Sequence, residues 1–287
     1  MTAQGPSLET RVLTVAEATA RQDEMAAVIA AARGLDGVPW RFVQAVPFEG
    51  AGLRYDDAAA LAARGRTLSA PELSCFASHC AIMRDWLGQG SSDVLLIAED
   101  DIDLDPGFDF REAARLMAAV GMDYLRLYGR AVVPARLLVH GARYQVLRFP
   151  WSPGETQAFM LSREGARRAL QAIEAAGTVV RPIDDQLDRS GDTGTAIYAL
   201  HPWPVMERDL PSTIHGRAHV KARREAQERV AQRRGTIEAL GRRAARLRER
   251  VARKAAERRL RRDGAAMAKR VTALFQRPDF RLFTVGP

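Results

Sequence analysis

The sequence predicts an α/β protein with a mostly parallel central sheet, followed by a basic helical tail. Three observations predict it. Strand-like and helix-like segments alternate along residues 10–200, the order expected when helical crossovers join parallel strands. Asp93–Ala98 (DVLLIA) is a continuous apolar run, as a strand covered on both faces requires. The charge is also divided: residues 217–270 hold 20 Lys/Arg against 6 Asp/Glu, a net of +14, and residues 271–287 add +1, which leaves residues 1–216 at −7 within a chain of +8. The expected boundary falls between 215 and 216.

The elements follow in order. Val12–Val15 predicts a strand, and Arg21–Arg33 a helix rich in good helix formers. Trp40–Val46 predicts the second strand, with a turn at Pro47–Gly50. Ala58–Ala63 is a short helix. Ser69-Ala70-Pro71-Glu72 opens the next helix with a capping box and a proline in the first turn; it runs to about Leu87. The buried strand Asp93–Ala98 ends in Glu99-Asp100-Asp101-Ile102-Asp103. A helix at Phe110–Val120 and a strand at Tyr124–Tyr128 follow. Residues 131–150 predict two short strands turning at His140–Ala142. Ala158–Leu161 predicts a strand, Arg163–Ala175 a helix, Gln186–Arg189 a helical turn and Thr195–Leu200 the last strand. Residues 216–270 predict one long helix or two, with Gly235 and Gly241 as weak points.

Composition removes several classes. Two cysteines, Cys75 and Cys80, cannot make a disulfide framework, and they fit a reducing compartment. No apolar run approaches the roughly 18 residues of a membrane span, and the N-terminus has no signal-peptide pattern. The expectation is a cytoplasmic protein. The cysteines lack metal-type spacing and are expected to be buried and structural.

Ligands of open α/β sheets bind beyond the carboxyl ends of strands. Glu99, Asp100, Asp101, Asp103 and Asp105 crowd that position. Carboxylates this close repel unless a cation compensates, and Mg²⁺ or Mn²⁺ takes oxygen ligands of this kind. The alternative is a solvated turn capping the next helix, which suits Asp105. A phosphatase or nuclease would fit the same pattern.

Pro71-Glu72-Leu73-Ser74-Cys75-Phe76-Ala77-Ser78-His79, followed by Asp93–Asp103, resembles glycosyltransferase family 25, the lipopolysaccharide-type glycosyltransferases. Glu72, Cys75, Ser78 and His79 match that family's Gly-Glu-(Ile/Leu)-Gly-Cys-x-x-Ser-His stretch; Pro71 and Ser74 replace its glycines. Val12–Met25 resembles the opening strand and helix, with Arg21 in the arginine position. Phe42–Ala45 and Asp123–Tyr128 resemble further pieces. Glu155–Ala166 resembles its Gly-Thr-x-(Ala/Gly)-Tyr segment, with Glu155 in place of glycine. Pro182-Ile183-Asp184-Asp185 resembles its Pro-(Val/Ile)-Asp segment. The likeness covers about residues 10–215.

The resemblance implies a glycosyltransferase-A-like single domain, a UDP-sugar donor and inversion at the transferred hexose. Asp101 is the expected metal ligand, with Glu99 or Asp100 serving metal or ribose and Asp103 as a second ligand to Mn²⁺ or Mg²⁺. Arg21, Ser78 and His79 are expected on the donor side. For Arg21 the alternative is a surface acid, and for His79 a satisfied core group. Inversion needs a base for the acceptor hydroxyl. Asp185, Asp184 and Glu155 are the candidates, the two aspartates competing with a helix-capping role. His201 and His215 are weaker metal candidates.

The basic tail suits an anionic membrane surface near a lipid-linked saccharide acceptor. That would put the protein at the inner face of the cytoplasmic membrane. Val230, Ile237, Ala244 and Val251 recur every seven residues, so a coiled-coil dimer is an alternative, as is a solvated helix. Nucleic-acid binding is possible electrostatically, but no groove-reading motif is present. A nucleic-acid binder using the tail, or a degenerate family member, are the competing functions.

Overall fold

The computed structural model describes residues 5–130, 133–141, 143–208 and 236–275. Among these, strands β1 (Leu8–Thr14), β2 (Trp40–Gln44), β3 (Val94–Glu99), β5 (Tyr124–Arg126), β6 (Arg136–His140), β7 (Gln145–Phe149), β8 (Ala158–Ser162) and β9 (Ile197–His201) form one sheet. Its order is β2-β1-β3-β8-β5-β9-β7-β6. Only β7 and β8 run against the other six. The sheet is therefore mostly parallel, as expected. A separate two-stranded ribbon pairs β4 (Ile102–Leu104) with β10 (Val205–Glu207).

Period-two alternation builds the three layers. Val94, Leu96 and Ala98 of β3 face one core, and Leu95 and Ile97 the other. The first core lies under α1 (Thr19–Ala31) and α4 (Phe110–Val120). The second lies under α3 (Ala70–Gln89) and α5 (Arg163–Ala176). The short helices α2 (Asp57–Arg64), α6 (Ile183–Leu187) and α7 (Ser190–Thr193) complete the body.

Local signals act as read. Ser69 Oγ accepts from Glu72 N, and Glu72 Oε2 accepts from Ser69 N at 2.8 Å. Asp109 caps α4 and Ser162 caps α5. Gly165 is required where α5 meets β5: a Cβ there would stand 2.1 Å from Asp123 O. The last helical turn forms at Ile183–Leu187, earlier than the expected Gln186–Arg189, because Pro182 supplies its start.

The basic tail contributes α8 (Thr236–Phe275). Gly241 lies inside it; Gly235 lies outside the described residues, as does the 215/216 boundary. The helix is not detached. Val271 and Leu274 are buried in the first core, beside β6 and α4. Val251 of the heptad stripe is exposed, as is Leu247 one turn before it. Among the described residues, no helix is long and apolar enough to cross a membrane.

Candidate functional site

Chain leaving β1 passes outward to β2, whereas β3 lies on the other side of β1. The carboxyl ends of β1 and β3 therefore flank a switch point, where open α/β sheets leave a crevice. A cleft of about 650 Å³ opens there, lined by Thr14–Glu17 after β1, Pro47–Glu49 after β2, the first residues of α3, and Glu99 and Asp100.

Of the acidic cluster, Glu99 and Asp100 line this cleft, and Asp101 follows them in the chain without lining it. Asp100 is buried; it accepts from Thr14 Oγ1 at 2.5 Å and pairs with Arg21. Arg21 Nη2 also lies 3.9 Å from Asp101 Oδ2. Arg21 lines the cleft, and its Nε and Nη1 are buried without hydrogen bonds among the described residues. Asp101 Oδ1 is buried and unbonded in the same way. Burial, then Asp101, Asp100, Glu155 and Asp184, push Glu99 up to about 8. Burial raises Asp101 as well, against the pull of Arg21. Arg208 pins the backbone from outside: its N donates to Asp101 O at 2.8 Å and its Nη2 to Asp100 O at 2.7 Å.

Asp103 does not join this group. Ile102 and Leu104 turn into the core, so alternation sends Asp103 outward, with its side chain 58% exposed. Asp105 is structural: it takes Gly107 N, Tyr144 OH and Arg143.

Glu155 and Asp184 lie near enough to help push Glu99 up, although neither lines the cleft. Glu155 is the one non-glycine residue with positive φ among the described residues, at 58°. Its N donates to Asp184 Oδ2 at 3.0 Å. Its carboxylate meets Arg130 Nη1 at 2.5 Å and accepts from Gln157 Nε2 at 2.6 Å. Asp185 is a correction. Neighbours on a helical turn project about 100° apart, and Asp185 pairs with Arg64 of α2, away from Asp184's bond to Glu155.

Ser78 and His79, expected on the donor side, are both buried on α3. Ser78 Oγ accepts from Val46 N at 2.9 Å and donates to Ser74 O at 2.7 Å. It ties the cleft's Pro47 wall to α3. His79 is fully buried, stacks on Phe159 and is 3.0 Å from Cys75 O through Nδ1; burial lowers its pKa. Cys80 is buried as expected, but Cys75 reaches the cleft, where burial and the nearby acids push its thiol well up. His201 is exposed, and His215 lies outside the described residues.

Sequence reasoning missed the support of the Glu155 loop. Arg126 and Asp188, both fully buried, pair at 2.6 Å, and Arg126 Nη2 donates to Gly154 O at 2.7 Å. An arginine inside the apolar strand Tyr-Leu-Arg-Leu-Tyr was the available signal.

Among the described residues, no three His, Cys, Asp or Glu side chains converge to hold a metal by themselves. The unbonded Asp101 oxygen and the raised Glu99 fit a different mode, in which one or two carboxylates hold a hard cation and substrate phosphates complete its shell.

No family model and no curated protein sequence matches the chain. Solved structures similar to it in part include two glycosyltransferases. One is a glycosyltransferase involved in glycosylation of the major capsid of PBCV-1, with TM-score 0.30 and 11% identity over 59% of this chain. The other is a mannosyltransferase from Pyrobaculum calidifontis in complex with GDP-Man and Mn²⁺, with TM-score 0.41 and 12% identity over 97% of this chain. The chain spans 64% of the first and 83% of the second. Overlaps this loose carry no functional argument, which rests on the residues.

Proposed function

We propose that this protein is a metal-dependent inverting glycosyltransferase of glycosyltransferase-A-like fold. It moves a hexose from a UDP-sugar to a saccharide acceptor in lipopolysaccharide or other cell-envelope glycan synthesis. One observation carries the reading: a strongly raised Glu99 lines the switch-point cleft, and close by Asp101 keeps a buried carboxylate oxygen without a hydrogen bond among the described residues.

Asp101 would hold one divalent cation, Mn²⁺ or Mg²⁺, which supplies charge neutralisation to a leaving nucleoside diphosphate. Glu99, which lines the cleft, would be the second oxygen source. Asp100 is spent on Thr14 and Arg21, so it orients Arg21 toward the donor phosphates. Glu155 is the base for the acceptor hydroxyl. Arg130 and Gln157 fix its carboxylate, and Asp184 fixes its backbone. Ser78 acts by holding the cleft wall. The +14 of residues 217–270 supports docking on an anionic leaflet at the cytoplasmic face, where a lipid-linked acceptor would be met.

Calorimetric titration of UDP-sugars and GDP-mannose, with and without Mn²⁺, tests this on wild type and Asp101→Ala. The expected result is Mn²⁺-dependent binding of a UDP-sugar that Asp101→Ala abolishes. A folded wild-type protein that binds no nucleotide sugar refutes the reading.

A further inference from the structure

A second cavity, of about 410 Å³, lies beyond α6, on the side Asp185 faces. Its walls come from the loop after β7, from α6 and α7, and from α8. Its volume falls within the ~300–1,000 Å³ of small-molecule sites.

The lining chemistry is selective. Phe149, Pro150 and Trp151 form an apolar wall, and Trp203 stacks behind Phe149 with ring centroids 6.2 Å apart. Opposite them stand charged groups that already have partners. Asp185 pairs with Arg64, Asp188 with Arg126, and Asp192 with Arg189 at 2.5 Å. Arg148 lies over the Tyr198 ring, 5.8 Å from its centroid. The cavity therefore combines an aromatic face with many hydrogen-bonding atoms, most of them on groups already paired. A phosphate or carboxylate ligand would meet four lining aspartates, with Arg148 as the one lining cation not paired with a carboxylate among the described residues. A purely apolar ligand would strip water from carboxylates and leave them short of partners. A neutral sugar meets both demands, its C–H face on the indole and its hydroxyls on the paired ions.

Helix α8 leaves the room. Along a helix crowded with arginine, the residues it presents here include Ala252, Ala255 and Ala256. The cavity also has a route to the chemistry. The loop that carries Trp151 at the cavity carries Glu155, which acts on Glu99, and Arg126 holds that loop at Gly154 while pairing with Asp188.

We propose that this cavity binds a neutral saccharide unit of the acceptor, with α8 as one wall. The inference rests on the glycosyltransferase reading above and deepens it. The basic helix is then part of the acceptor site as well as a charged surface.

The test is saturation-transfer NMR on the full chain, without nucleotide. The probes are methyl α-glucoside, methyl β-galactoside, methyl α-mannoside, methyl N-acetyl-β-glucosaminide, lactose and maltose. At least one sugar should bind, and its affinity should fall at least tenfold in both Trp151→Ala and Ala255→Trp. The second variant fills the cavity from an exposed helix position, and melting curves check both folds. If no sugar binds, or if binding survives both changes, the proposal is overturned. UDP-sugar calorimetry on the same wild-type sample separates the two readings. Donor binding with no sugar binding defeats only this inference; sugar binding lost in both variants without donor binding leaves the cavity assignment standing and defeats the transferase.

Discussion

Glu99→Gln replaces a carboxylate that the metal-free fold keeps protonated with a neutral group of the same shape. Glu99 is raised from 4.5 to about 8, burial first and the neighbouring carboxylates after. Its folded-state value lies above its unfolded one, so the folded protein holds a proton that the unfolded chain has released. The stability tied to that proton is complete below about pH 4.5 and is gone once pH has risen through about 8. The interval is ~3.5 pH units at ~1.4 kcal/mol each, which amounts to on the order of 5 kcal/mol. Glutamine never ionises and escapes this loss. At ~2–4 °C per kcal/mol for a chain of this size, Glu99→Gln should melt roughly 10 °C or more above wild type at pH 8, and close to it at pH 4.5. The assay is thermal unfolding followed by circular dichroism from pH 4.5 to 9 in EDTA. Mn²⁺ with UDP should narrow the gap at pH 8, because a cation favours the ionised form. A difference that stays flat with pH, or that falls as pH rises, would refute the account of the cluster.

Three further outcomes are expected. Arg126→Met leaves Asp188 buried and unpaired, which should cost ~3–5 kcal/mol by urea unfolding; a loss below ~1 kcal/mol contradicts the pairing. Glu155→Gly relieves a left-handed backbone and should stabilise the fold by ~1 kcal/mol, while kcat drops by ~100-fold or more through loss of the base; unchanged turnover moves the base to Asp184. Ser69→Ala removes the α3 cap and should cost ~1 kcal/mol, seen as a Tm lower by ~2–4 °C; an unchanged Tm denies the capping box its role.

Much of the fold was legible because its signals are local. α4 forms over Phe110–Val120 as read, between the Asp109 cap and the Gly121 stop. The apolar run ending at Ala98 was legible as a strand buried on both faces. β4 and β10 were not, because each has three residues and exists only by pairing across about a hundred residues of chain. At the site, chain position predicted that the acids after β3 would meet a cleft, and Glu99 and Asp100 line one. It could not say where neighbouring side chains point. Asp103 leaves the cluster by strand alternation, Asp185 leaves Asp184 by helical rotation, and Ser78 and His79 turn into α3's buried face. Residue identity matched a motif at these positions while orientation decided their use. Arg126 and Asp188 lie 62 positions apart, and only the folded chain joins them.

The seating of Val271 and Leu274 in the core bears on the order in which the protein is made. The whole sheet leaves the ribosome before α8 does, yet β6 and the α4 side of the core wait for the far end of a 40-residue helix. Until then the nascent body carries an uncovered edge strand and an apolar patch, the surfaces most open to mispairing. Emergence of α8 therefore completes this core, and a stop codon placed before α8 would yield a sticky intermediate, not a trimmed enzyme.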